Sequence, residues 1–265
     1  MSSRRHAAVI KPSYAPPAGT RQNRAGRPGA PLAALIAILA AAGATWYGFL
    51  EQTHGHPTVR LAGALALAAG GLTAVLLATP RLHGPAEQEP AGGLPAGAAT
   101  HADGTRTIAA ILGLLSMAAA LIHFAVIEQH WAEYWLYGAF FIAVGLAQLA
   151  WALIIPSAPA RLLLWAGAAG NALVVITWII TRTAGSLVGP AATEPAKVGF
   201  GDLVSTALEA LIVAGCLGLL WRRPQVRTGW WAEHALMIAA LLVVPFLVLS
   251  LYSAVGGSPF VSMVG

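Results

Sequence analysis

Four ionisable side chains fall within eleven residues of the stretch LIHFAVIEQHWAEYWLYG: His123, Glu128, His130 and Glu133. Imidazole and carboxylate together suit Zn, Cu or Fe, and a carboxylate beside an imidazole raises its basicity and fixes its tautomer. On a helix running unbroken through the stretch, His123 and His130 are seven residues apart and share a face, with Glu133 one turn beyond His130. His123, His130 and Glu133, joined by Glu209 from a later segment, form a candidate metal set, and a transition metal (Zn, Cu or Fe) is the candidate cofactor. A competing reading takes Trp131, Tyr134, Trp135 and Tyr137 as an aromatic belt at headgroup depth, with Glu128, His130 and Glu133 solvated beside it.

His123 differs because it lies about one turn inside an apolar run. An ionisable group there faces a bundle interior or a water cavity, or is hydrogen-bonded across to another helix. A second cluster is GDLVSTALEAL, which places Asp202, Ser205, Thr206 and Glu209 along one helical face. Glu209 then sits roughly 12 Å below the surface at 1.5 Å per residue. Between these clusters, Asn171, Trp178 and Arg182 share one stripe, and an Arg182 pair with Asp202 or Glu209 would staple helices. His123, Asn171, Arg182, Asp202 and Glu209 are the candidate ligand-binding or proton-carrying residues. Glu51, His54 and His56 in EQTHGH, and Glu194, are weaker additions.

The elements that must position these groups are membrane helices. The composition is 57% hydrophobic and 9% charged, with a mean hydropathy of +0.70, which excludes a soluble globular domain. A helix needs about 20 apolar residues to cross the hydrocarbon, and seven stretches qualify, near 31–50, 58–79, 107–127, 134–155, 161–181, 202–221 and 232–254. Pro57, Pro80, Pro156, Pro159 and Pro224 fall at the boundaries, where a missing N–H is tolerated, and Pro245 falls inside the seventh stretch, where it should kink the helix. The fold class is therefore all-α, a polytopic transmembrane bundle of about seven spans.

Arginine and lysine in the loops set orientation. Arg4, Arg5, Lys11, Arg21, Arg24 and Arg27 in the tail, then Arg81, Arg106, Arg161, Arg222, Arg223 and Arg227, outweigh Arg60, Arg182 and Lys197 on the other side. The N-terminus is expected inside and the C-terminus outside, which puts the His, Glu and Asp clusters at the outer face. The expected organisation is a disordered basic cytoplasmic tail over 1–30, a two-span hairpin over 31–80 and a Pro- and Gly-rich cytoplasmic linker over 81–106. A five-span block over 107–255 and a short outer tail over 256–265 follow. A rival reading makes 1–44 a signal peptide, from Ser3-Arg4-Arg5 and Ala42-Gly43-Ala44, but the apolar run is long for that role.

Several function classes are excluded. Cys216 is the single cysteine, so there is no intramolecular disulfide and no thiolate cluster. His123 and His234 fall at opposite ends of the bundle and cannot share a haem. Lys11 and Lys197 are the only lysines, so no Schiff-base lysine exists in the last helix. No Walker loop, Rossmann fingerprint, GxSxG elbow or HExxH motif is present.

The block HFAVIEQHWAEYWLYGAFF, the stretch RTAGSLVGP and the segment GDLVSTALEAL resemble a group of multi-pass integral membrane proteins of high-GC bacteria, over roughly His123 to Ala214. No activity attaches to that group. The resemblance implies a bacterial plasma-membrane location and places His123, His130, Glu133, Arg182, Asp202 and Glu209 in one constellation. The leading expectation is binding or translocation of a small polar solute or metal ion. The alternative is an accessory or structural subunit whose polar residues staple helices, and the third is a metal-dependent membrane enzyme. Expected partners are the lipid bilayer and a membrane protein or second copy of the chain; nothing points to nucleic acid.

Overall fold

The computed structural model describes residues 29–50, 57–79, 96–190, 192–221 and 230–254. They form eight helices: α1 (Gly29–Leu50), α2 (Pro57–Ala78), α3 (Ala96–Ala125), α4 (Ile127–Glu133), α5 (Trp135–Ile154), α6 (Arg161–Thr183), α7 (Phe200–Trp221) and α8 (Trp230–Ala254). Among the described residues there is no strand. Six helices are long and apolar enough to cross a membrane, and α1, 22 residues long, carries the shorter apolar segment Leu32–Trp46. The chain is a multi-pass, all-helical membrane protein in contact with the lipid bilayer.

Helix boundaries follow the local chemistry. Pro57 occupies the first position of α2, where no backbone N–H is needed. Pro156 stands just past α5, after an Ile155 that still holds helical φ and ψ and donates its N–H to the Trp151 carbonyl. Pro245 is inside α8, and Ser250 in the next turn donates its hydroxyl back to the Phe246 carbonyl at 2.7 Å.

Two expectations are corrected. α3 begins at Ala96, inside the segment read as linker, because AGAATHADGT is rich in helix-forming alanine although too polar to count as span. The third helix also does not run unbroken to Glu133. It stops at Ala125, and Val126 at φ −99° and ψ 0° starts the separate, seven-residue α4. The basic tail up to residue 28, the loop with Glu51, His54 and His56, most of the 81–106 segment and the 256–265 tail lie outside the described residues.

α3 is the axis of the bundle and packs against α1, α2, α5, α7 and α8. Within its span 89% of the most apolar window is buried, against 22–33% for the other five spans, whose remaining surface faces lipid. Lipid is as apolar as leucine, so burial of apolar surface does not itself drive helices together in a membrane; close approach and interhelical hydrogen bonds do. α3 supplies the first with Ala109, Ala110, Gly113, Ala118, Ala119 and Ala120. It supplies the second with Ser116, whose hydroxyl donates to the Gln148 carbonyl of α5 at 2.9 Å. α6 packs chiefly against α7 and lies at the edge.

Candidate functional site

The end of α3, the start of α5, the end of α6, the start of α7 and the end of α8 converge on one end of the bundle. Between them lies a cavity of about 1080 Å³.

His123 and Glu209 sit at its deep end, the first two residues before the end of α3, the second more than two turns into α7. Nε2 of His123 and Oε1 of Glu209 are 2.8 Å apart. The Gln148 amide donates to the same Oε1 at 3.1 Å and to Oδ1 of Asn171 at 3.1 Å. Asn171 in turn donates to the Gly167 carbonyl at 2.8 Å. All four residues are buried, at 4% exposure for His123, 1% for Glu209, 5% for Gln148 and 6% for Asn171. An oxygen toward which two donors point is an acceptor, so the arrangement suits a Glu209 carboxylate receiving N–H from both His123 and Gln148. Donors of this kind are what a carboxylate away from water requires. His123 makes this one hydrogen bond through Nε2, and its Nδ1 has no hydrogen bond among the described residues.

A second polar pair stands nearer the mouth. Arg182 donates from Nη2 to Oδ2 of Asp202 at 2.6 Å and from Nη1 to Thr181 Oγ1 at 3.1 Å, with its guanidinium 5.7 Å from the centre of the Trp178 ring. Asp202 also accepts the Gly199 N–H at 3.1 Å, so one carboxylate both caps the start of α7 and holds the end of α6. The segment 184–199 crosses between these ends and contributes Leu187, Val188, Glu194 and Lys197 to the cavity wall. Gly185 and Gly189 have φ of +89° and +87°. At Gly189 a side chain is excluded twice, by that conformation and by the Tyr137 hydroxyl 2.7 Å from where Cβ would stand. The Tyr137 hydroxyl donates to the Val188 carbonyl and ties the segment to α5.

The structure places the expected residues as follows. Asp202, Ser205, Thr206 and Glu209 all line the cavity, as their shared face implied, as do Trp178 and Arg182. Of the two partners weighed for Arg182, Asp202 has it and Glu209 pairs with His123 instead. Asn171 stands behind the floor and supports it through Gln148.

The candidate metal set His123, His130, Glu133 and Glu209 is not gathered into a site. Because α4 breaks from α3, His130 turns its Nδ1–H onto the Val126 carbonyl at 2.9 Å. Phe141 packs against both imidazoles, 5.4 Å from His123 and 4.3 Å from His130 between ring centres. Glu133 is exposed. Among the described residues no three His, Cys, Asp or Glu lie close enough together to hold a metal ion.

Gln148 was missed. Its signal was a lone amide in the apolar run GLAQLAW, expensive in hydrocarbon and therefore turned inward.

Toward the opposite end the bundle closes. Leu112, Ile155, Ile212 and Cys216 are 0–2% exposed, and the chain of buried polar contacts from the mouth ends at Asn171, Gln148 and Ser116. The arrangement can admit a solute from one end, bind it against a carboxylate or imidazole, and carry a proton on that pair. The chain matches no protein-family model, and no curated protein or solved structure is similar enough to count as a match.

Proposed function

We propose that this membrane protein binds a small solute that enters from the outer side of a bacterial plasma membrane, with the His123–Glu209 pair as its ligand-binding and proton-carrying floor. The supporting observation is a ligand-sized cavity that ends on a buried, hydrogen-bonded histidine–glutamate pair. Gln148 and Asn171 orient the carboxylate from behind, and Arg182 with Asp202 shapes the entrance. The excess of arginine in the other set of loops supports an outward-facing cavity. The close-packed opposite half supports binding over an open pore in this conformation.

The stapled-subunit reading has its own support, since the Gln148–Asn171 contact joins α5 to α6 behind the cavity. The two readings differ in whether the floor can be reached. Thr206 lines the cavity, so Thr206→Cys in a Cys216→Ser background should react with a membrane-impermeant maleimide added to intact cells. Labelling only after permeabilisation would reverse the orientation. No labelling in either state, with the same cysteine reacting in denaturant, would leave a stapled bundle.

A further inference from the structure

We propose that the ligand class of this cavity is a monovalent organic cation with an aromatic or aliphatic body, an inference that rests on the outward binding pocket and specifies what fills it.

Glu209 is almost wholly buried and still borders the cavity. Both of its hydrogen bonds go to Oε1, from His123 and Gln148, so Oε2 has no donor among the described residues. A carboxylate oxygen deep in a membrane bundle without its own cation is a seat for a positive charge brought by a ligand. His123 engages Oε1 alone, and no cationic side chain of the lining reaches Oε2 among the described residues. Four carboxylates border the cavity, on Glu133, Glu194, Asp202 and Glu209, against two fixed cations, Arg182 and Lys197. Arg182 pairs with Asp202 through Nη2, and in the lining only its Nε and the Trp178 indole N–H remain as buried donors without a partner among the described residues.

The walls decide what kind of cation fits. Tyr137, Phe140, Phe141 and Trp178 border the same space, and an aromatic face attracts a cation held within about 6 Å of its centre. A small inorganic ion would shed its water there and regain too few oxygen ligands, because no three candidate metal-binding side chains cluster among the described residues. An anion would meet an arginine that Asp202 already neutralises, over an acidic floor. A neutral donor could hydrogen-bond to Oε2 but would bring no charge to balance the carboxylate. An organic cation satisfies the floor with its charge and the walls with its body, and about 1080 Å³ has room for a drug-sized molecule.

Tetraphenylphosphonium and tetraphenylborate have nearly the same shape and opposite charge, and their binding to the full-length protein in mild detergent separates charge from fit. Equilibrium dialysis against protein-free micelles corrects for partition into detergent. Expected is at least tenfold tighter binding of the phosphonium, with Glu209→Gln removing most of that preference and Thr206→Trp, which narrows the cavity one turn from Glu209 and keeps the carboxylate, weakening both ions. Equal or borate-favoured binding that Thr206→Trp still blocks would overturn the cation class and leave the pocket standing. Binding of neither ion above the micelle background, or binding indifferent to Thr206→Trp, would overturn the class and the pocket together. Should Glu209→Gln fail to fold, the two ions on wild type and on Thr206→Trp decide the question.

Discussion

The two halves of the bundle hold helices together by different means. In the half away from the cavity, glycines let backbones and large side chains close on one another. A Cβ on Gly113 would stand 2.9 Å from the Ala152 carbonyl oxygen, one on Gly215 would stand 2.5 Å from Leu112, and one on Gly167 would stand 2.5 Å from the Trp151 ring. In the cavity half the pairs His123–Glu209 and Arg182–Asp202 join the helices around the cavity, with glycine close approach confined to its rim, at Gly138 on Trp131 and Gly189 on Tyr137. Both are answers to the same condition, that lipid supplies no hydrophobic drive for helix association. Close approach leaves no space, whereas polar pairing leaves room for a ligand and places charge beside it. One half therefore carries rigidity and the other carries chemistry, and substitutions should separate the two.

The largest effect is expected where contact is closest. Gly113→Val puts side-chain atoms against the Ala152 carbonyl and the Pro156 ring, and backbone cannot yield as a flexible side chain does. Overpacking of this kind costs about 1–3 kcal/mol, while the gain in helix propensity over glycine is below about 1 kcal/mol. Thermal unfolding in detergent should show a clear loss of stability, with ligand binding by the protein still folded unchanged. Gly170 on α6 has nothing within 4 Å of its would-be Cβ, so Gly170→Ala should lose no stability and gain up to about 1 kcal/mol from helix propensity. Equal losses at the two glycines would remove the contrast between the halves.

Gly113 and Gln148 also show how far the sequence could be read. The spans were legible because apolar length and boundary prolines both mark them: α5, expected over 134–155, is Trp135–Ile154, and α7, expected over 202–221, is Phe200–Trp221. Which spans touch was not legible, since hydropathy is nearly the same for the central α3 span and the peripheral α6, at 2.2 and 1.9. The polar floor was read one residue at a time. His123, Glu209 and Asn171 each stand out in apolar surroundings, but the partner of each lies on another helix, and pairing is a property of three-dimensional packing. The break at Val126 carries no glycine or proline to announce it. It ends the helix early, yet both imidazoles still pack on Phe141 and border the cavity.

Gln148 offers an intermediate effect that links the halves. Gln148→Leu removes one hydrogen bond to Glu209 and one to Asn171, and also an amide oxygen that is buried without a partner. Interhelical hydrogen bonds in membranes average about 0.6 kcal/mol and reach about 1.7 kcal/mol, and deleting the unpartnered oxygen offsets part of the loss. A net destabilisation near 1 kcal/mol is expected by that measure. The floor carboxylate also loses one of its two donors, so ligand affinity should fall along with stability. Gly113→Val should not share that second effect. A Gln148→Leu protein with lower stability and unaltered ligand affinity would place the amide with the rigid half.

The smallest effect belongs to the pair at the mouth. Arg182 and Asp202 keep 16% and 27% of their side chains exposed, so water screens their attraction. Partly solvated ion pairs couple by about 0.2–1 kcal/mol. A double-mutant cycle of Arg182→Gln, Asp202→Asn and both together, read by unfolding in detergent, isolates that coupling from other losses. Asp202 also accepts the Gly199 N–H, so Asp202→Asn should cost more by itself than Arg182→Gln. A coupling energy well above 1 kcal/mol would mean that the mouth, not the inner packing, holds α6 against α7. That outcome would move the division between rigid and chemical regions from the middle of the bundle to the edge of the cavity, and it would make the entrance a fixed wall in place of a yielding one.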